Sequence, residues 1–100
     1  MSLAKRLKEA RLEAGLSQER LGVIAGIDEM SASARMNQYE RGKHVPDLSM
    51  VERFASVLNV PAAYFYAADD DLAKLLMLFY RLKHIDKKRV LAMVEDMHSN

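Results

Sequence analysis

Apolar positions along the chain recur at spacings of three and four, the period of an amphipathic helix. Leu3, Leu7 and Ala10 mark one side of a segment over about 3–14 that Gly15 stops. Ser17 suits an N-cap, and Leu16 with Leu21 forms a hydrophobic staple, so a second helix is expected at about 18–25 with Leu21, Ile24 and Ala25 inward. Gly26 ends it, and a helix-like stretch then runs to Gly42. Asp47 caps a fourth helix at about 48–58, striped by Leu48, Val51, Phe54, Ala55 and Leu58. A short fifth follows Pro61, with Tyr64, Phe65 and Tyr66 expected as core and rim. Asp69, Asp70 and Asp71 open a sixth that continues to about 82, and Asp86 is expected to cap a seventh at about 87–98, with Ile85 and Val90 as its staple. Period-two alternation of β-branched residues is almost missing. The expected fold class is all-α.

The stretch GIDEMSASARMNQYERG, residues 26–42, breaks this amphipathic pattern. Only Ala32, Met36 and Tyr39 offer an inward side. Ser31, Ala34, Gln38 and Arg41 fall opposite, flanked by Arg35 and Asn37. Small residues allow close approach to a major groove, Arg can pair with guanine, and Asn or Gln can pair with adenine. A plain solvated polar face is the competing reading of the same pattern.

Composition narrows the field slightly. Fifteen Lys and Arg stand against fourteen Asp and Glu, a net charge of +1, so nucleic-acid binding has to come from local charge placement. Half the residues are hydrophobic, as in a globular chain of 100 residues. The chain has no cysteine, which excludes a disulfide framework and thiolate chemistry and fits a cytoplasmic location. The charged N-terminus does not read as a signal peptide, and no apolar run is long enough for a membrane span. His44, His84 and His98 lie on separate segments without metal-ligand spacing, so neither an enzyme nor a cofactor is expected.

Several motifs carry a family resemblance: Leu16-Ser17-Gln18-Glu19-Arg20-Leu21, Ala25-Gly26-Ile27, Tyr39-Glu40-Arg41-Gly42-Lys43, Pro46-Asp47-Leu48 and the Leu58-Asn59-Val60 corner. Over about 3–66 the chain resembles the phage-repressor and Cro, or XRE-type, helix-turn-helix proteins. The resemblance implies a lambda-repressor-like bundle of five helices, here followed by two C-terminal helices. It divides the chain into a DNA-binding segment, 1–66, and a C-terminal helical extension, 67–100.

What the resemblance implies for sites is specific. Ser31, Ser33, Ala34, Arg35, Asn37 and Gln38 become base-reading candidates, and about 31–41 becomes the recognition helix. Ser17, Gln18, Arg41, Lys43 and His44 become phosphate-contact candidates. Arg11 and Glu40 match a pair that joins helix one to the end of helix three. From Gly26 to Gly42 the chain is about one helical turn longer than the common spacing. Residues Asp28 to Ser31 either extend the recognition helix or lengthen the turn before it, and Ser31 joins the reading face only in the first case.

The sixth helix is apolar nearly all round, with Lys74 and Arg81 as its polar strip. A homodimer interface is therefore expected from Leu72, Leu75, Leu76 and Phe79, helped by Val90, Met93, Val94 and Met97. The alternative is a helix folded into the monomer's own core. Two function classes follow: a homodimeric transcriptional regulator on a pseudo-palindromic double-stranded DNA operator, or an antitoxin-like module whose C-terminal helices grip a protein partner.

Overall fold

Side-chain oxygens start four of the helices. Ser17 accepts from the Arg20 amide at 3.0 Å, Asp28 from Met30 at 3.0 Å, Asp47 from Met50 at 2.8 Å and Asp69 from Leu72 at 2.8 Å. Each satisfies a backbone N–H that the helix itself leaves unpaired. The computed structural model describes residues 2–99; Met1 and Asn100, the outer ends of the two expected segments, lie outside it. In chain order the elements are α1 (Ser2–Glu13), α2 (Gln18–Ile24), α3 (Glu29–Glu40), α4 (Leu48–Leu58), a 3-10 turn (Ala62–Tyr66), α5 (Asp70–Tyr80) and α6 (His84–Ser99). The described residues contain no strand, so the all-α expectation holds. Asn59 closes α4 in the left-handed conformation at φ 56°, which a short polar side chain tolerates.

The core is built where the first four helices and the 3-10 turn meet. Leu7, Leu21, Met36, Val51, Phe54 and Phe65 are fully buried, and Tyr39 meets Phe54 edge-on at 6.1 Å between ring centres. Ala32, Met36 and Tyr39 form the buried side of α3. Two inward assignments need correction. Ile24 is exposed because the buried side of the short α2 centres on Leu21, Gly22 and Ala25. Leu48 is exposed in the first turn of α4, and Met50 is buried there in its place.

Gly22 fixes how closely α2 and α3 pack. A Cβ added there would lie 3.0 Å from both the Ala32 Cβ and the Met36 Cγ. Gly22→Val is therefore expected to destabilise the chain by about 1–3 kcal/mol through overpacking. Thermal melting checks this, and a variant as stable as the parent would show that the helices separate at little cost.

Two arginines tie α5 to the bundle. Arg6 is buried in α1, donates to the Ala67 and Ala68 carbonyls at 2.9 and 3.1 Å, and pairs with Glu9 and Asp70. Arg81, expected on a polar strip, donates to both Glu13 oxygens at 2.8 and 2.9 Å and to the Asn59 and Leu58 carbonyls. The Arg81 hydrogen bonds hold the Glu13 carboxyl below its usual range. Lys5 and Arg6 do the same for Asp70.

Beyond α5 the chain leaves the core. Only Ala73 of α5 is buried, with Leu76 and Met77 half-buried against the core, and α6 buries none of its described residues. The seventh helix starts at His84, earlier than expected. Asp86 lies inside its first turn and pairs with Arg89 at 3.2 Å, and Ile85 is exposed, so neither the Asp86 cap nor the Ile85 staple forms. A carboxylate within the first turn still favours the helix dipole, which is why the sequence signal misplaces the start. The extents of 53 × 25 × 22 Å and a radius of gyration of 15.3 Å reflect this projecting arm; a compact chain of this length would have about 13 Å.

Candidate nucleic-acid interface

Asp28 decides how α3 begins. Its carboxylate caps the helix and its carbonyl accepts from the Ser31 amide at 2.9 Å, so the added residues extend the helix by about a turn. The turn from α2 passes through Gly26 at φ +97°, a region that glycine enters without strain. Ser31 is half-buried, whereas Ser33, Ala34, Arg35, Asn37 and Gln38 are exposed.

Met30, which the sequence does not mark as a contact residue, is 93% exposed at the N-terminal end of this helix. Its spacing of four to Ala34 and seven to Asn37 puts it on the same outer row. The signal was present in the sequence, but an apolar residue in a helix suggests core until packing shows otherwise.

The far end of α3 is locked. Arg11 Nε donates to Glu40 Oε2 at 2.6 Å and Nη2 to Oε1 at 3.0 Å, while Nη1 donates to the Leu16 carbonyl at 2.8 Å. One guanidinium thus joins α1, the α1–α2 turn and α3. Both side chains are largely out of water, at 10% and 3% exposure. Gln18 adds a third partner: its amide donates to Glu40 at 3.2 Å and to Asn37 at 3.5 Å, the latter at the limit of a hydrogen bond. Arg35 turns along the helix, donates to the Tyr39 hydroxyl at 2.7 Å and lies 5.8 Å from that ring's centre.

The phosphate-contact candidates gather around the two ends of this unit. Ser17 is exposed and its oxygen is occupied by capping, while Gln18 is half-buried. Arg41, Lys43 and His44 are exposed in the segment after α3. The Lys43 and His44 amides both donate to the Gln38 carbonyl, at 3.0 and 3.4 Å, which fixes that segment to the helix end. Among the described residues, no His, Cys, Asp and Glu cluster could hold a metal, and no helix is long and apolar enough to cross a membrane.

Residues 2–65 match the model of a helix-turn-helix domain family. The chain is 33% identical over 70 residues to the HTH-type transcriptional regulator ImmR of Bacillus subtilis (strain 168), covering 70% of this chain and 52% of that protein. It thus spans about half the length of that curated relative. A solved structure, that of the transcriptional regulator BswR, superposes with a TM-score of 0.88 at 47% identity, over 93% of this chain and 92% of the other. With α2 and α3 joined at Gly26 and α3 held to α1 by Arg11 and Glu40, these matches show that the chain belongs to the XRE-type helix-turn-helix family of DNA-binding domains.

Proposed function

We propose that this chain is a sequence-specific DNA-binding transcriptional regulator that acts in the cytoplasm as a homodimer. Residues 1–66 hold the DNA-binding unit and 67–100 the pairing unit. The observation that carries the reading is the division of α3: Ala32, Met36 and Tyr39 are buried, while Ala34, Asn37, Gln38 and Arg41 face outward with Met30 as the one large apolar side chain of α3 on that side. In the major groove, Gln38 and Asn37 reach base edges, Ala34 permits close approach and Met30 meets the thymine methyl group. Ser31 and Ser33 line the two sides, and Arg35 reads bases once it leaves the Tyr39 hydroxyl. Phosphates are held by the N-terminus of α2 at Ser17 and Gln18 and by Arg41, Lys43 and His44.

Gln38→Ala is expected to relax sequence preference at one base position per half-site, by about 1–3 kcal/mol. Lys43→Ala is expected to weaken all sequences alike and to reduce the salt slope by about 1 for each bound chain. Selection of preferred DNA sequences from a random pool, followed by salt titration, checks both. An unchanged preference in Gln38→Ala with binding intact removes Gln38 from the reading face.

Pairing uses the apolar side of α5 and α6. Leu72, Leu75, Met93, Val94 and Met97 are exposed, and Leu76, Phe79 and Val90 are half-buried. A second copy on this side would present two α3 helices to a pseudo-palindromic operator with half-sites about 34 Å apart or a multiple of it. The same exposed side supports a second reading, in which a different protein docks there and DNA binding is secondary, as in an antitoxin. Mass in solution separates them: a dimer of the purified chain supports the first, and a monomer that binds no DNA supports the second.

A further inference from the structure

Positive charge in this chain is not where a DNA-reading unit would need it. Residues 18–47, which span α2, α3 and the following segment, hold Arg20, Arg35, Arg41 and Lys43 against Glu19, Asp28, Glu29, Glu40 and Asp47, a net of −1. Residues 81–89 hold Arg81, Lys83, Lys87, Lys88 and Arg89 against Asp86 alone, a net of +4. The whole chain is +1, so everything outside this corner is net −3. Affinity for duplex DNA comes largely from neutralised phosphates. The Arg11–Glu40 and Arg81–Glu13 pairs cross these bounds. With Glu40 and Arg81 left out as paired, 18–47 holds four cations against four anions, a net of 0, and 81–89 holds four against one, a net of +3, so the α5–α6 corner remains the better supplied of the two.

The corner is also open and anchored in a useful place. Lys83 and Lys88 are exposed, and among the described residues neither they nor Lys87 has an acidic partner within 4.0 Å. Lys87 lies over the Phe79 and Tyr80 rings, at 6.0 and 5.4 Å. Arg81 is bound to Glu13, the last residue of α1. Glu13 precedes the Ser17 cap of α2 by four residues, so the two Cα atoms are at most about 14 Å apart. The basic corner therefore begins at the end of α1 that leads into the phosphate-binding terminus of α2. Lys88 falls on the side of α6 away from Val90, Val94 and Met97, so pairing through those residues leaves it free.

We propose that the α5–α6 corner is a second, sequence-independent DNA contact, in which Lys83, Lys88 and their neighbours grip phosphates flanking the sequence that α3 reads. The proposal rests on α3 being the reading helix. It assigns to the C-terminal extension a share of the binding affinity in addition to pairing.

The test compares the full chain with Lys83→Gln/Lys88→Gln on two duplexes across a salt series. One duplex carries the sequence selected by the wild type with a further helical turn on either side; the other has mixed sequence. The double variant is expected to lose affinity for both by the same factor. Its salt slope should shrink by about 0.9 for each phosphate contact removed, hence by about 1.8 per bound chain and about 3.6 for a bound dimer, with base preference unchanged. A variant that matches the wild type in affinity and slope overturns the proposal and leaves the α3 reading intact. If the wild type binds neither duplex, both fall. Anionic phospholipid vesicles provide the third arm: if the substitutions abolish vesicle binding but leave DNA binding unchanged, the corner is a lipid-facing surface and the proposal is overturned.

Discussion

Glu40→Ala is expected to destabilise the protein by about 3–5 kcal/mol, because it leaves the Arg11 guanidinium buried and uncompensated. The pair is bidentate, and its carboxylate is almost wholly excluded from water. The Gln18 amide loses an acceptor in the same step. For a chain of this size each kcal/mol moves the melting temperature by roughly 4–8 °C, so a fall of more than about 12 °C is expected. Replacing both partners by apolar residues of similar volume, as in Arg11→Met/Glu40→Leu, should recover much of the loss, since the desolvation cost disappears with the charges. Calorimetry of the single and double variants decides it. If Glu40→Ala melts with the wild type, the link between α1 and α3 contributes nothing to stability.

The second large effect concerns pairing. Leu75 is 54% exposed in the monomer, so Leu75→Asp should cost the isolated chain little. Buried in a dimer, the same carboxylate would be costly, and the variant is expected to be monomeric where the wild type is dimeric. Joining two half-site contacts in one particle raises overall affinity by about 10²–10⁴ over a single contact. Affinity for a two-half-site operator should fall by that factor, while affinity for a single half-site is retained. Sedimentation and binding to both fragments measure this. A wild-type chain that sediments as a monomer across the binding range, or a Leu75→Asp variant that stays dimeric, sinks the proposed interface.

Helix positions and the family were legible because their signals are local. Ser17, Asp47 and Asp69 cap the helices that follow them, and Leu7, Leu21, Met36 and Phe54 keep their period on the buried side. The start of α3 was only half legible. Asp28, Ser31 and Ser33 are all acceptable caps, and nothing within a few residues chooses among them. In the structure Asp28 is the cap, and α2 packs closely on α3 where Gly22 meets Ala32. Met30 was missed for a related reason: whether an apolar side chain is covered depends on the neighbour across the interface.

Arg6 and Arg81 mark the limit of sequence reading. On a helical wheel each is one more cation, but their acceptors lie 61 and 22 residues away on backbone carbonyls that no side-chain pattern records. By itself the sequence determined seven helical segments, the short fifth of which is a 3-10 turn in the structure, most of their apolar sides and the membership of the family. Only the tertiary structure decided which apolar sides are covered, that α5 is clasped to α1, and that α6 projects with its apolar side open. The reason is physical: helix formation and capping act over a few residues, whereas burial depends on surfaces brought together from distant parts of the chain.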